Sequence, residues 1–200
     1  MKLNLGSHSK IVEGYTNVDA LDLPNVDYIC DITRTPWIFQ PTSIPPIDKD
    51  LRIGYILDIA DNKAEEILMV EVLEHISFRK TDAVLKEVHR VLKPGGKVHI
   101  QVPDCGEMMK AYCDKKIGTF MPHKPESVEQ VKEIRERTGL IVHPNRWLFA
   151  FLGAQKHEYD AHLNIFTKER MEEYLNNAGF SKINFLIDPL WWKIKVDAFK

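Results

Sequence analysis

Short apolar runs punctuate the first hundred residues of the chain. Lys2–Gly6 is apolar-rich and closes on a glycine, which predicts an opening strand. Tyr15–Asp19 is rich in β-forming residues and ends in an acid, and Val26–Ile32 is a third strand candidate. Residues 33–50 contain Pro36, Pro41, Pro45 and Pro46 and read as a long loop. Glu66–Glu71 is a nearly continuous apolar run, as expected of a central strand covered on both faces. Across Phe78–Leu92, Ala83, Val84, Val88 and Val91 recur at helical spacing beside Leu85 and Leu92, and Lys93-Pro94-Gly95-Gly96 stops that helix. Lys97–Val102 follows as the next strand.

Beyond Pro103 the pattern turns helical and polar until about Gln155, with an apolar helix over Arg146–Gln155. Thr167 suits the N-cap of a helix over Lys168–Asn177, and Gly179 suits its C-terminal stop. Ser181–Ile187 and Trp192–Phe199 are two final strands joined through Asp188-Pro189. Strands alternating with helices imply an α/β fold with a mostly parallel sheet. The expected organisation is a single domain over 1–200, carrying a helical insertion at 105–160.

Composition narrows the class. With 200 residues, 44% of them hydrophobic, the chain buries roughly 70% of its unfolded surface on folding and needs no staples. Basic and acidic residues number 27 and 29, and the densest basic stretch, Lys132–Arg137, is interrupted by Glu133 and Glu136. That balance argues against nucleic acid as the main partner. Three cysteines, Cys30, Cys105 and Cys113, form no CxxC pair and suit free thiols in a reducing compartment. The apolar runs fall far short of the roughly 20 residues a membrane span needs, and Met1–Gly6 lacks the apolar core of a leader. A cytoplasmic protein with no membrane partner is expected; the oligomeric state is not legible.

Open α/β sheets bind ligands beyond the carboxyl ends of their strands. Those ends are Gly6-Ser7-His8, Asp19, Asp31, Glu71 and Pro103-Asp104. An acid closing the second strand suits the two hydroxyls of a ribose, and an acid after the third can accept from an adenine amino group. The first loop has one glycine and no GxGxxG, and about a dozen residues separate Gly6 from Asp19, too few for a strand plus a full crossover helix. A pyrophosphate would be poorly served, so an adenosine-bearing ligand without phosphate, S-adenosyl-L-methionine, is favoured.

At these residues the chain resembles the class I S-adenosylmethionine-dependent methyltransferases, and within them a subgroup with a shortened first crossover. The resemblance rests on Leu3-Asn4-Leu5-Gly6-Ser7 with Gly14-Tyr15-Thr16-Asn17-Val18-Asp19, on Val72-Leu73-Glu74-His75-Ile76, and on Arg90-Val91-Leu92-Lys93-Pro94-Gly95-Gly96. Val102-Pro103-Asp104 and Ala178-Gly179-Phe180 extend it. It implies a Rossmann-like, seven-stranded, mostly parallel sheet with an antiparallel last strand. It also implies that Gly6 and Ser7 approach the methionyl part of the cofactor, that Asp19 holds the ribose, that Asp31 and Ile32 flank the adenine, and that Glu71 and Val72 underlie the sulfonium. The chain departs from the subgroup at Ser7-His8, where a second glycine or a Cys-Gly pair is usual.

Residues 105–160 match no motif and are expected to select a small or medium acceptor. His75 is the candidate catalytic base, with Asp104, Tyr159 and His162 facing the substrate. Glu74 reads as a first-turn acid, Cys105 as a passive thiol, Trp191-Trp192 as packing of the closing hairpin, and no metal site is expected from the spacing of Cys and His. Similar proteins are associated with sugar or polysaccharide pathways, an association rather than chemistry. Two other readings stay open: a non-catalytic cofactor-binding or scaffold protein of the same fold, and a nicotinamide-dependent oxidoreductase.

Overall fold

A parallel sheet forms around strand β1 (Lys2–Leu5), where Leu3 and Leu5 are fully buried. The structure, a computed structural model, describes residues 1–8, 10–42, 57–114, 136, 144–156, 158–186 and 193–200. On one side of β1 lie β2 (Thr16–Asp19), β3 (Tyr28–Ile29), β4 (Ile38–Pro41) and β5 (Leu57–Asp58). On the other lie β6 (Ala64–Val70), β7 (Leu92–Pro103), β9 (Lys193–Phe199) and β8 (Lys182–Leu186), in that spatial order.

Pairings β1–β2, β1–β6, β2–β3 and β6–β7 are all parallel, so these strands end at one edge of the sheet. Strand β9 runs antiparallel between β7 and β8, as expected of the last strand. Seven strands thus match the sequence reading, and β4 and β5 extend the sheet beyond it.

Strand β4 corrects the expectation of a loop over 33–50. Trp37 and Phe39 are fully buried while Ile38 and Gln40 are exposed, the period-two alternation of a strand. Prolines flank this short run, and Pro41 closes it, so proline content concealed it. The Trp37 backbone N–H donates to Glu87 Oε1 at 2.7 Å and its indole Nε1–H donates to the Ile32 carbonyl at 2.9 Å, fixing the strand to the helix layer.

Among the described residues the first crossover contains no helix. Buried Asn4 donates through Nδ2 to the Lys10 carbonyl at 2.8 Å and to Asn17 Oδ1 at 2.9 Å, and the Val12 N–H donates to the same Oδ1 at 3.0 Å. Two asparagines on neighbouring strands thereby satisfy a loop that has no secondary structure of its own.

Helix α1 (Thr81–Val91) buries Val84, Leu85, Val88 and Val91, while Ala83, which the spacing placed with them, is exposed. Lys93–Gly96 is looped out within β7: Ala64 pairs with Leu92 but Glu66 pairs with Lys97. Helix α2 (Cys105–Cys113) and helix α3 (Pro144–Leu152) lie in the expected insertion. Helix α4 (Lys168–Ala178) is capped by Thr167, whose Oγ1 accepts from the Arg170 N–H at 3.2 Å, and stops at Gly179 with φ 101°. Helices α1 and α4 pack together, with His89 edge-on to Phe180 at 5.2 Å. His157, Pro45, Pro46, Asp188-Pro189 and Trp191-Trp192 lie outside the described residues, as does all of Lys132–Arg137 except Glu136. Among the described residues no helix is long and apolar enough to cross a membrane.

Candidate functional site

The carboxyl ends of β1, β2, β3 and β6 converge on one cavity of about 910 Å³. Its wall includes Gly6, Ser7, Asp19, Asp31, Ile32, Glu71, Val72, His75 and Tyr159. Parallel pairing is the reason: sequentially distant loops leave the sheet at one edge. The volume lies within the range of pockets for small molecules and cofactors, roughly 300–1,000 Å³.

Gly6 is required twice over. Its φ of 64° is left-handed, and a Cβ there would stand 2.6 Å from Val72 Cγ2. Nothing larger fits between the first loop and the segment after β6. Ser7 next to it is buried, donates its backbone N–H to the Val18 carbonyl at 3.1 Å, and leaves its hydroxyl oxygen without a partner. An unsatisfied buried hydroxyl in a cavity wall is suited to a ligand's polar group.

Asp19 is held in place by two backbone donors. The His8 N–H reaches Oδ2 at 2.8 Å and the Leu21 N–H reaches Oδ1 at 3.0 Å. A carboxylate has about four acceptor sites, so both oxygens keep capacity for a pair of hydroxyls. His8 itself takes a left-handed φ of 43°. At the departure Ser7-His8 the backbone N–H of His8 thus faces the acid of the neighbouring strand.

Asp31 accepts from the Thr33 N–H at 3.0 Å and from Thr33 Oγ1 at 2.7 Å, and Arg34 Nε lies 3.1 Å from its other oxygen. Partial burial pushes its pKa up, but the Thr33 hydrogen bonds and the Arg34 and Lys80 charges outweigh that and hold it below the ordinary value. Glu71 sits in the left-handed region at φ 59°, a strained backbone for this residue. Its N–H donates to the Gln101 carbonyl at 2.8 Å, and its carboxylate accepts from Gln101 Nε2 at 3.1 Å and pairs with Lys193 Nζ at 3.0 Å. These bonds to β7 and β9 hold the strained turn that carries Val72 under Gly6.

Asp104 does not line the cavity. It is buried as the N-cap of α2, its Oδ1 accepting from the Glu107 N–H at 3.0 Å, and burial pushes its pKa up. Its expected place at the substrate gives way to a structural one, because the chain turns into a helix immediately after β7. Cys105 begins that helix, yet burial pushes its thiol up to about 11, so it is inert.

His75 ends a single 3₁₀ turn, Leu73–His75, and lines the cavity. Its Nδ1 lies 3.2 Å from the Ala161 carbonyl oxygen. His162 lies outside the cavity wall but meets the His75 ring edge-on at 4.9 Å, with its own Nδ1 2.9 Å from the Ala150 carbonyl. Burial lowers the His162 pKa.

Glu74 is a first-turn acid, but of the 3₁₀ turn Leu73–His75 rather than of α1, which starts at Thr81. It is 1% exposed, and neither carboxylate oxygen has a hydrogen-bond partner. Burial, reinforced by the nearby Glu71 charge, pushes its pKa well up. The ligand atoms of Glu74, His75 and His162 lie within 4.8 Å of one another. This grouping was not legible from spacing, because the loop containing His162 returns across the sheet to reach it. Ile38 and Gln40 of β4 also line the cavity and were missed with that strand.

A mostly parallel sheet whose strand ends gather acids and a glycine pressed against the next loop around one cavity defines an α/β protein of the Rossmann-like class. Residues 15–184 match the family described as a methyltransferase domain, and the chain belongs to that family. The family's cofactor is S-adenosylmethionine. No curated protein matches the sequence.

Among solved structures, the PH0226 protein of Pyrococcus horikoshii shares 18% identity, with a TM-score of 0.53 over 99% of this chain and 80% of its own. A protein described as an S-adenosylmethionine-dependent methyltransferase from Thermotoga maritima shares 13% identity, with a TM-score of 0.46 over 100% of this chain and 82% of its own. A protein described as an O-methyltransferase from Nostoc punctiforme shares 16% identity, with a TM-score of 0.41 over 72% of this chain, which spans only 34% of it. The likeness to the Pyrococcus structure is one of fold.

The wall fits the cofactor. Gly6 leaves a gap that a Cβ would fill, Ser7 Oγ is an orphaned buried polar atom, and Asp19 retains free acceptor sites. Asp31 and Ile32 line the same cavity as Asp19.

Proposed function

We propose that the protein transfers a methyl group from S-adenosylmethionine to a small or medium acceptor bound over His75. The convergence of Gly6, Asp19, Asp31 and Val72 on the cavity that His75 also lines carries this reading. The cofactor supplies an electrophilic methyl group on sulfur. Asp19 accepts from the ribose hydroxyls, Asp31 and Ile32 flank the adenine, and Gly6, Ser7, Glu71 and Val72 surround the methionyl end. Most of the rate comes from alignment, because holding nucleophile and methyl group in line replaces an encounter in solution.

The acceptor enters from the side of Tyr159, Asp160 and Leu163, which line the cavity beside His75. Tyr159 and Asp160 come from the end of the 105–160 segment and Leu163 from just beyond it, so the end of that segment shapes the acceptor side. His75 handles the acceptor's proton. With Nδ1 directed at the Ala161 carbonyl, its lone pair lies on Nε2. A sugar hydroxyl suits such a site, since it must lose its proton to become a good nucleophile.

Calorimetry with S-adenosylhomocysteine, S-adenosylmethionine and NAD tests the cofactor, and methyl transfer to a panel of small hydroxyl and amine acceptors tests the reaction. NAD binding tighter than both adenosyl ligands reverses the reading. Adenosyl binding with no transfer to any acceptor favours the non-catalytic binding protein.

A further inference from the structure

We propose that Glu74, His75 and His162 form a binding site for a divalent transition ion of borderline softness, zinc in the first instance. Their ligand atoms lie within 4.8 Å of one another, and all three residues come from two segments locked together. The Leu163 and Asn164 N–H groups donate to the Glu74 carbonyl at 2.8 and 3.1 Å, which ties the His162 loop to the 3₁₀ turn carrying Glu74 and His75.

Independent support comes from Glu74. Its carboxylate is buried and both oxygens lack any hydrogen-bond partner. A native structure seldom leaves two buried acceptors unsatisfied, and a bound cation gives the carboxylate a partner. The two histidines are prepared in the same sense. Each directs Nδ1 at a backbone carbonyl, Ala161 for His75 and Ala150 for His162. That bond places the hydrogen on Nδ1 and the lone pair on Nε2, the usual outer-shell arrangement of a ligating imidazole.

The donor set selects the ion class. Two neutral imidazoles and one carboxylate suit zinc or iron(II), whereas Mg²⁺ and Ca²⁺ prefer oxygen ligands throughout. Tetrahedral bonds of about 2.0–2.2 Å require the three atoms to draw in by about 1.4 Å from a separation of 4.8 Å, within reach of side-chain adjustment. Three protein ligands leave a further position open, as in catalytic sites. His75 lines the cavity, so that position lies on the acceptor side.

The chemical use of the ion, though not its binding, rests on the methyl-transfer reading above, with the ion taking over the handling of the acceptor's proton from the free His75 imidazole, whose Nε2 lone pair it occupies. An acceptor hydroxyl bound through an oxygen lone pair at the open position loses its proton to water more easily. The resulting oxyanion forms the O–CH₃ bond as the cofactor's S–CH₃ bond breaks, and that electron pair goes to sulfur.

The test uses the full chain stripped with a chelator. Calorimetry with Zn²⁺ should show one ion per chain, and Co²⁺ should give the visible absorption of a four- or five-coordinate site. His75→Gln and His162→Gln should each weaken Zn²⁺ at least tenfold while circular dichroism stays unchanged. The isosteric Glu74→Gln should do the same; if it does not fold, the two histidine variants decide. No stoichiometric binding, or Zn²⁺ affinity in the two folded histidine variants equal to that of the parent, overturns the site. Displacement of Zn²⁺ by equimolar Mg²⁺ overturns the ion class. S-adenosylhomocysteine is titrated into the same samples. Its binding without Zn²⁺ binding refutes this inference alone, and Zn²⁺ binding without it refutes only the methyl-transfer reading.

Discussion

The backbone N–H of His8 donates a 2.8 Å hydrogen bond to Oδ2 of Asp19, tying the loop after β1 to the acid that closes β2. A residue that looks like an obstacle in the sequence, a histidine where the resembled subgroup carries a glycine, acts through its backbone to orient the carboxylate proposed to hold the ribose. His8 makes this contact from a left-handed φ of 43°.

Asp19→Ala therefore removes two kinds of bond at once. The variant loses the acceptors for the His8 and Leu21 N–H groups, and stability should fall by about 1–3 kcal/mol. It also loses the ribose contacts, so affinity for S-adenosylhomocysteine should drop at least about tenfold, since hydrogen bonds to a charged group contribute about 1.5–3 kcal/mol each. Thermal unfolding and calorimetry on one preparation separate the two effects. Unchanged affinity in the folded variant would place the adenosine elsewhere.

Gly6→Ala should cost both stability and cofactor affinity. The left-handed φ of 64° strains any side chain, and the new Cβ would meet Val72 Cγ2 at 2.6 Å. Each source of strain is of order 1–3 kcal/mol. Adding Val72→Ala should relieve the steric part and leave the backbone part. A double variant no more stable than Gly6→Ala would refute the Val72 contact as the cause.

How much of this was legible without the structure depended on range. Val84, Val88 and Val91 announced α1 because helical periodicity is local, and the acids at Asp19 and Asp31 announced the cavity because strand ends of a parallel sheet share one edge. Phe39 was obscured because Pro36 and Pro41 flank a run too short to show alternation convincingly. Asp104 was misplaced because a strand-end acid and a helix N-cap look alike in sequence, and here the cap prevails. The Glu74–His162 approach depends on a backbone pairing of distant segments, which no local pattern encodes.

Acid sensitivity should centre on Glu66 of β6. Partial burial pushes its pKa up, but hydrogen bonds from Tyr15, Lys2 and Lys97 and the Lys97 charge outweigh this and bring it from 4.5 down to about 2. A carboxyl whose folded pKa is depressed stabilises the fold above its unfolded pKa, and that contribution disappears as pH falls through the folded value. Stability should fall between about pH 5 and 2, by at most about 3 kcal/mol from this group. Glu66→Gln should be less stable than the parent at pH 7 and converge with it near pH 2. Parallel curves across that range would show that Glu66 contributes no pH dependence.

The last expectation concerns the proton of the acceptor. His75 lines the cavity at the end of a 3₁₀ turn following the central strand β6, so it is near enough to the acceptor side to act there. His75→Gln leaves Gly6, Asp19 and Val72 in place, so affinity for S-adenosylhomocysteine should remain within about twofold while turnover falls by roughly 10²–10⁴-fold, the usual contribution of proton handling. His162 separates the two ways this can happen. It stands outside the cavity wall, with its ring 4.9 Å from that of His75 and its Nδ1 turned to the Ala150 carbonyl. If His75 acts as a base by itself, His162→Gln should keep most of the turnover. If the two imidazoles share an ion with Glu74, His162→Gln should lose turnover as His75→Gln does, and added Zn²⁺ should restore part of it in proportion to the residual affinity. Kinetics of both variants with and without Zn²⁺ resolve the choice, and full turnover in His75→Gln would remove the residue from the reaction under either mechanism.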